Sequence, residues 1–146
     1  MLKLPPPVWC VTYLLLAAGL SALLGWPPGP HSMAVGAALV LVGMSPPVWA
    51  ALLFRRAGTE FQPTSPANKA LITDGPYAFT RNPMYLGLVV ATLGVSVFVG
   101  AWPMLLAPVA LFLTANFVHI PFEEAKMRRQ FGEAFDAYAR RVRRWL

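Results

Sequence analysis

One cysteine and two histidines are all that this chain holds of the side chains that build disulfides and most zinc sites. Cys10 lies inside an apolar run, with no partner for an internal disulfide and no companion for a metal site, so neither organises the fold. Charge is scarce as well. Asp, Glu, Lys and Arg make up 12% of the 146 residues and hydrophobic side chains 57%. One small soluble domain cannot bury so much apolar surface, so lipid must cover part of it. No strand runs into a glycine-rich loop, which excludes a soluble Rossmann-type domain.

What is present is a series of long apolar runs. Residues 8–24 are apolar apart from Cys10, Thr12, Gly19 and Ser21, close to the roughly 20 residues a spanning helix needs. Lys3 ahead and Trp26-Pro27-Pro28-Gly29-Pro30 behind also fit a secretory signal, but the run is long for one and no small-x-small cleavage site follows. Residues 33–54 form a second run, interrupted by Ser45-Pro46-Pro47, where lost backbone donors predict a kink that protein must cover. Residues 84–101 and 103–120 are joined only by the Trp102-Pro103 turn, so these two helices must be antiparallel neighbours. Gly36 and Gly43 on the second run, with Gly87, Ala91 and Gly94 on the third, offer small surfaces for close approach. Small residues are also simply frequent in membrane helices.

The 55–83 loop is polar and repeatedly broken by Gly and Pro. It leads into Gly75-Pro76-Tyr77-Ala78-Phe79-Thr80-Arg81-Asn82-Pro83-Met84-Tyr85-Leu86-Gly87. Asn82 suits the N-cap and Pro83 the first helical position, where no N–H is needed. A helix start carries unpaired donors and partial positive charge, so with Arg81 beside it this point suits a carboxylate or phosphate. The same residues would serve any capped membrane helix with an interfacial Arg and Tyr.

The tail, 121–143, differs in kind. Met127, Phe131, Phe135, Tyr138, Val142 and Trp145 recur at spacings of three and four, with the basic residues elsewhere. This predicts an amphipathic helix lying on the membrane or folded against the loop, its basic face suited to anionic headgroups. The interleaved apolar stripe argues against nucleic acid. Glu123 and Glu124 are adjacent carboxylates at a membrane boundary, a functional pair or the favourable start of the tail helix. All 12 Lys and Arg lie at Lys3, in the loop or in the tail. The positive-inside rule therefore puts both termini and the loop in the cytoplasm, at the inner membrane in a bacterium. The expected fold is all-α: one multi-pass transmembrane helical bundle over 1–146, with about four spans and a C-terminal amphipathic helix.

The stretch from Gly75 to Gly87 resembles the signature of the isoprenylcysteine carboxyl methyltransferase family, related to the phospholipid methyltransferases: Gly-x-Tyr, three residues, then Arg-His-Pro-x-Tyr. Glu123-Glu124, Phe131-Gly132, Phe135, Tyr138 and Arg140-Arg141-Val142 resemble the second half of that signature, in the same order. The likeness runs from Gln62 to Val142. It implies an integral-membrane enzyme that uses S-adenosylmethionine to methylate a lipophilic or membrane-embedded acceptor. It further implies cofactor contacts from Gln62, from Lys69, Ala70, Leu71 and Ile72, from Tyr77, from Asn82, Pro83, Met84 and Tyr85, and from Glu123. By local chemistry Arg81 and Glu124 join this set: helix-start donors suit the cofactor's carboxylate, and a carboxylate pair suits its amino group. Methyl transfer is an in-line displacement on a sulfonium, so alignment and exclusion of water dominate.

Two departures bear on the chemistry, for which His119, Asn82 and Glu123 are the candidate catalytic residues. Asn82 stands where the better-known members have His, and an amide does not titrate near neutral pH. His119 stands where they place an Arg that pairs with the substrate carboxylate. It is a weaker carboxylate partner, a base for an amine or thiol nucleophile, or an interfacial His near a helix end. Two rival classes remain: a membrane reductase of the sterol-reductase type using a nicotinamide cofactor, and a non-catalytic membrane scaffold.

Overall fold

In the computed structural model, which describes residues 5–56, 58 and 70–146, the chain is built of helices. Helix α1 spans Pro6–Leu23, α2 Met33–Arg56 and α3 Pro83–Val99. Helix α4 spans Leu106–Thr114, α5 Ile120–Phe131 and α6 Glu133–Arg141. Short 3-10 turns at Gly75–Ala78 and Trp102–Leu105 precede α3 and α4, and a π-helical turn at Ala115–His119 joins α4 to α5. One isolated bridge, Pro28 to Ala101, is the extent of β-pairing among the described residues.

Among the described residues three helical stretches are long and apolar enough to cross a membrane: Pro6–Leu23, Met33–Arg56 and the unbroken rod Trp102–Phe131. The fourth apolar helix, α3, has 17 residues, about 26 Å at 1.5 Å per residue. Its covered position fits that shorter length: Tyr85, Leu88, Ala91, Thr92 and Ser96 are all buried. The outward faces of the others carry large apolar side chains. Leu15, Leu16, Leu23 and Leu41 are all more than 60% exposed, an arrangement that water would disfavour and lipid accepts. The protein is an all-α membrane helical bundle.

Helices α2 and α3 form the tightest pair because glycine removes the side chains that would hold them apart. A Cβ added at Gly36 would lie 2.7 Å from the backbone N of Phe98. One at Gly43 would collide with the backbone of Ala91, and one at Gly87 with the Pro47 ring and the Gly43 carbonyl. Helix α2 runs unbroken through Pro46 and Pro47, with Pro47 covered by the glycine face of α3. Protein therefore shields the point where proline removes a backbone donor.

The α3–α4 hairpin closes at Gly100, which takes φ 74 and donates to Ser96 O at 3.0 Å. That is the left-handed helix end which glycine adopts without strain. Ser96 Oγ also donates to Met104 O at 2.8 Å, tying α3 to the turn after it. Ala17 of α1 packs there with Ala101, Met104 and Ala107.

The rod corrects one expectation. A fourth span at 103–120 followed by a separate tail helix from 121 is not what forms; the helix continues through Pro121 to Phe131. Pro121 cannot donate to the preceding turn, and the chain widens just before it, with Ile120 N–H bonding Ala115 O in the π turn. The break comes instead at Gly132, with φ 51 and ψ −125. Helix α6 then folds back, burying Phe135 and Tyr138 against the loop.

Candidate functional site

The start of α1, the end of α2, the loop before α3 and the C-terminal part of the rod meet at one end of the bundle. Gly75 sets the loop on α2. Its φ is 58, and a Cβ there would lie 2.7 Å from Leu53 Cδ1. Phe54 packs edge-on against Tyr77 with ring centres 5.9 Å apart. Between these elements opens a cleft of about 130 Å³, open to solvent on one side.

The motif residues converge on it. Ala70, Leu71, Ile72, Tyr77, Arg81, Asn82, Met84, Tyr85, Glu123 and Glu124 all line the cleft. Pro83 is buried beside it in the first turn of α3. Gln62 and Lys69 lie outside the described residues. His119 does not line the cleft; it lies behind Tyr85, with the two rings stacked 6.0 Å apart.

Tyr85 and Glu123 form the polar centre. The Tyr85 hydroxyl donates to Glu123 Oε1 at 2.6 Å. Tyr85 is 3% exposed and Glu123 partly accessible, so the carboxylate faces the cleft from a fixed support. Tyr77 donates to Met84 Sδ at 3.5 Å, and Tyr138 to Tyr77 O at 2.7 Å. Burial pushes Tyr138 up to about 12 against the opposing pull of Arg81 and Arg141. Burial, then Glu123 and Tyr138, also push Tyr77 up. Both phenols are therefore neutral donors at physiological pH.

Arg81 and Glu124, which line the cleft, also hold the C-terminal segment. Arg81 donates from its backbone to Arg143 O at 2.9 Å and from Nη1 to Ala139 O and Val142 O at 3.0 and 2.6 Å. Its Nη2 donates to Glu124 Oε1 at 2.8 Å. Arg144 donates to both oxygens of Glu124, at 3.2 and 2.7 Å, which raises the Arg144 pKa above its ordinary value. The cluster clasps the C-terminal segment to the start of α3. Trp145 extends it through a 3.0 Å bond to Asn116 Oδ1 and a ring contact with Phe112.

Asn82 also departs from expectation. It occupies the N-cap position before Pro83, but its side chain makes no capping bond. Nδ2 instead donates to Arg144 O at 2.9 Å, because the returning tail brings a backbone carbonyl to the helix start. Thr80 Oγ1 donates to the same oxygen at 3.1 Å.

Pro6, Phe54, Lys126, Met127, Phe135 and Tyr138 line the cleft too, without having been singled out as site residues. The apolar stripe of the tail already contained Met127, Phe135 and Tyr138. Pro6 and Phe54 arrive only through helix packing and carry no local signal. Among the described residues no cluster of His, Cys, Asp and Glu could hold a metal ion.

A partly accessible carboxylate held by a tyrosine, beside apolar and aromatic walls, has the chemistry to hold a small charged molecule with an apolar part. No curated protein and no solved structure matches the chain. The phospholipid methyltransferase family model, however, matches residues 31–134, from the loop before α2 to the first turn of α6. The chain thus belongs to the phospholipid methyltransferase family and is a membrane methyltransferase.

Proposed function

We propose that the protein transfers a methyl group from S-adenosylmethionine to a lipophilic acceptor at the cytoplasmic membrane face, with the cleft around Tyr85 and Glu123 as the cofactor site. The supporting observation is the 2.6 Å bond that fixes a partly accessible carboxylate between the loop and the rod. The donor set fits the cofactor. Glu123 suits its amino group and positive charge, the neutral Tyr77 hydroxyl is a polar contact, and Leu71, Ile72, Met127 and Phe135 form an apolar wall for adenine. When bound, the cofactor supplies an activated methyl on sulfur.

The chain's contribution is binding, orientation and exclusion of water. Glu123 holds a positive group, and Tyr85 holds Glu123. Arg81, Glu124 and Asn82 act through the tail, keeping the wall that carries Phe135 and Tyr138 in place. His119 is assigned no proton transfer, since Tyr85 stands between it and the cleft. An isoprenylcysteine-type carboxylate is a poor acceptor for a chain with His119 in place of Arg.

The test is calorimetric binding of S-adenosylmethionine and S-adenosylhomocysteine to protein in lipid nanodiscs. Tyr85→Phe and Glu123→Gln should each weaken binding by about 10- to 100-fold, the loss expected for one hydrogen bond to a charged group. Reduced nicotinamide cofactor should give no heat. Well-folded protein that binds neither sulfonium nor thioether would overturn the reading.

A further inference from the structure

Residues 142–146 return to the rod and touch it within the π turn and beyond it. The Trp145 indole donates to Asn116 Oδ1 at 3.0 Å, inside the turn, and its ring centre lies 4.9 Å from that of Phe112 in the preceding turn. The residue before it, Arg144, bonds both oxygens of Glu124 beyond the turn. Two neighbouring side chains of the tail therefore hold two widely separated positions on the rod. The start of α3 holds the tail in place: Thr80 and Asn82 donate to Arg144 O at 3.1 and 2.9 Å, and the Arg81 N–H to Arg143 O at 2.9 Å.

The turn they grip sets the direction of Glu123. In a π turn the backbone bond reaches five residues back instead of four, as Ile120 N–H does to Ala115 O, so the helix takes in one extra residue. One residue of α-helix is about 100° of rotation and about 1.5 Å of rise. Were the turn to close to an α-helix, Glu123 would swing by about that angle relative to α4. It would leave Tyr85, whose hydroxyl meets it at 2.6 Å. Pro121 has no N–H to bond the carbonyl of Phe117 and so permits the widening, but a missing donor does not hold the wide form. The Trp145 bond to Asn116 does, and its ring packs against the buried cluster of Tyr85, Ala115 and Ile120.

We propose that Trp145 is a positioning residue for the cleft carboxylate: through Asn116 it keeps the π turn open, and the open turn sets Glu123 on Tyr85. Arg144 fixes the rod past the turn, and Trp145 fixes it within. Trp145 does not itself line the cleft, so it acts through the rod. The proposal rests on the methyltransferase reading in taking Glu123 as a cofactor contact, and it adds that the returning tail assembles that contact.

The test uses the full chain in lipid nanodiscs with carbon-13 at Cζ of its four tyrosines, a nucleus that senses what the phenol bonds. Tyr85→Phe assigns the Tyr85 signal, and Glu123→Ala gives its position without the carboxylate. Trp145→Phe keeps a ring beside Phe112 and loses the donor. It should move the Tyr85 signal toward its Glu123→Ala position and weaken S-adenosylmethionine binding about tenfold. The Tyr13 signal, whose hydroxyl bonds Thr114 ahead of the turn, should stay in place and report folding. Asn116→Leu removes the same bond from the other side and should give the same shift and loss, with nothing further when the two are combined. A Tyr85 signal at its native position in either folded variant would overturn the proposal and leave Pro121 alone to sustain the turn. Calorimetry separates the two readings. Unmutated protein that binds cofactor, with variants that alter neither signal nor affinity, sinks only the positioning role; a shifted signal in protein that never binds cofactor sinks only the cofactor site.

Discussion

Arg81 and Glu124 line the cleft and also hold the tail. Both stand out as charges at a membrane boundary, where an anion or a cofactor amine is a natural partner. Their partners are instead one another, Arg144, and the backbone carbonyls of Ala139 and Val142. A backbone carbonyl leaves no mark in sequence, so the clasp appears only when the tail has folded back. Arg81 and Glu124 have side chains 13% and 9% exposed; losing Glu124 leaves Arg81 buried on backbone carbonyls, and losing Arg81 leaves Glu124 buried with Arg144. Arg81→Ala or Glu124→Ala should therefore lower stability by about 3–5 kcal/mol. Arg128→Ala, which breaks a half-exposed pair with Asp136, should cost no more than about 1 kcal/mol. Thermal unfolding in detergent distinguishes them, and equal losses would remove the special standing of the clasp. Tyr138 adds a pH dependence at the same scale. Its folded pKa of about 12 exceeds the unfolded value of about 10, so its contribution is fully present below pH ~10 and is lost as pH rises toward 12. Tyr138→Phe should flatten that alkaline fall in the unfolding midpoint.

Between elements, the small residues of α2 and α3 decide the packing. Gly36, Gly43, Gly87 and Gly94 are small residues of the kind common in membrane helices, and nothing local says which are in contact. The structure pairs Gly43 with Gly87 and Ala91, and Gly36 with Gly94 and Phe98. Gly19 on α1 meets nothing within 4 Å. Gly43→Ala and Gly87→Ala should each cost about 1–3 kcal/mol through overpacking, whereas Gly19→Ala should be neutral or stabilise by about 0.5–1 kcal/mol. Unfolding of the three variants side by side checks this, and a Gly87→Ala protein as stable as Gly19→Ala would contradict the pairing. The rod is the element furthest from expectation. Pro121 reads as a boundary between span and tail, yet the π turn at Ala115–His119 precedes it and the helix runs on to Gly132. Proline marks a missing donor, and only the surrounding helix decides whether the chain breaks there or widens.

For the whole molecule, charge and packing point to the same end. The cleft, the loop before α3 and the basic tail gather at one end of the bundle, while the opposite end holds the Pro28–Ala101 bridge and its uncharged connections. We expect the cleft end to face the cytoplasm. In a Cys10→Ser background, Pro30→Cys, at an exposed position, should react with a membrane-impermeant maleimide added to intact cells, and Arg140→Cys only after permeabilisation. The reverse pattern would invert the topology.

From sequence alone came the class and the outline: sparse charge and long apolar runs require lipid, the 3.6-residue periodicity requires helices, and the ordered motifs mark the loop and tail that meet at the cleft. These follow from what each segment can bury by itself. Tertiary structure decided which glycines touch, that Asn82 holds the Arg144 carbonyl instead of capping its own helix, that Arg81 grips the tail, and that Trp9 comes to face His119 from residues far away in the chain. Each of those depends on atoms brought together by distant segments, and such contacts exist only after the helices have packed.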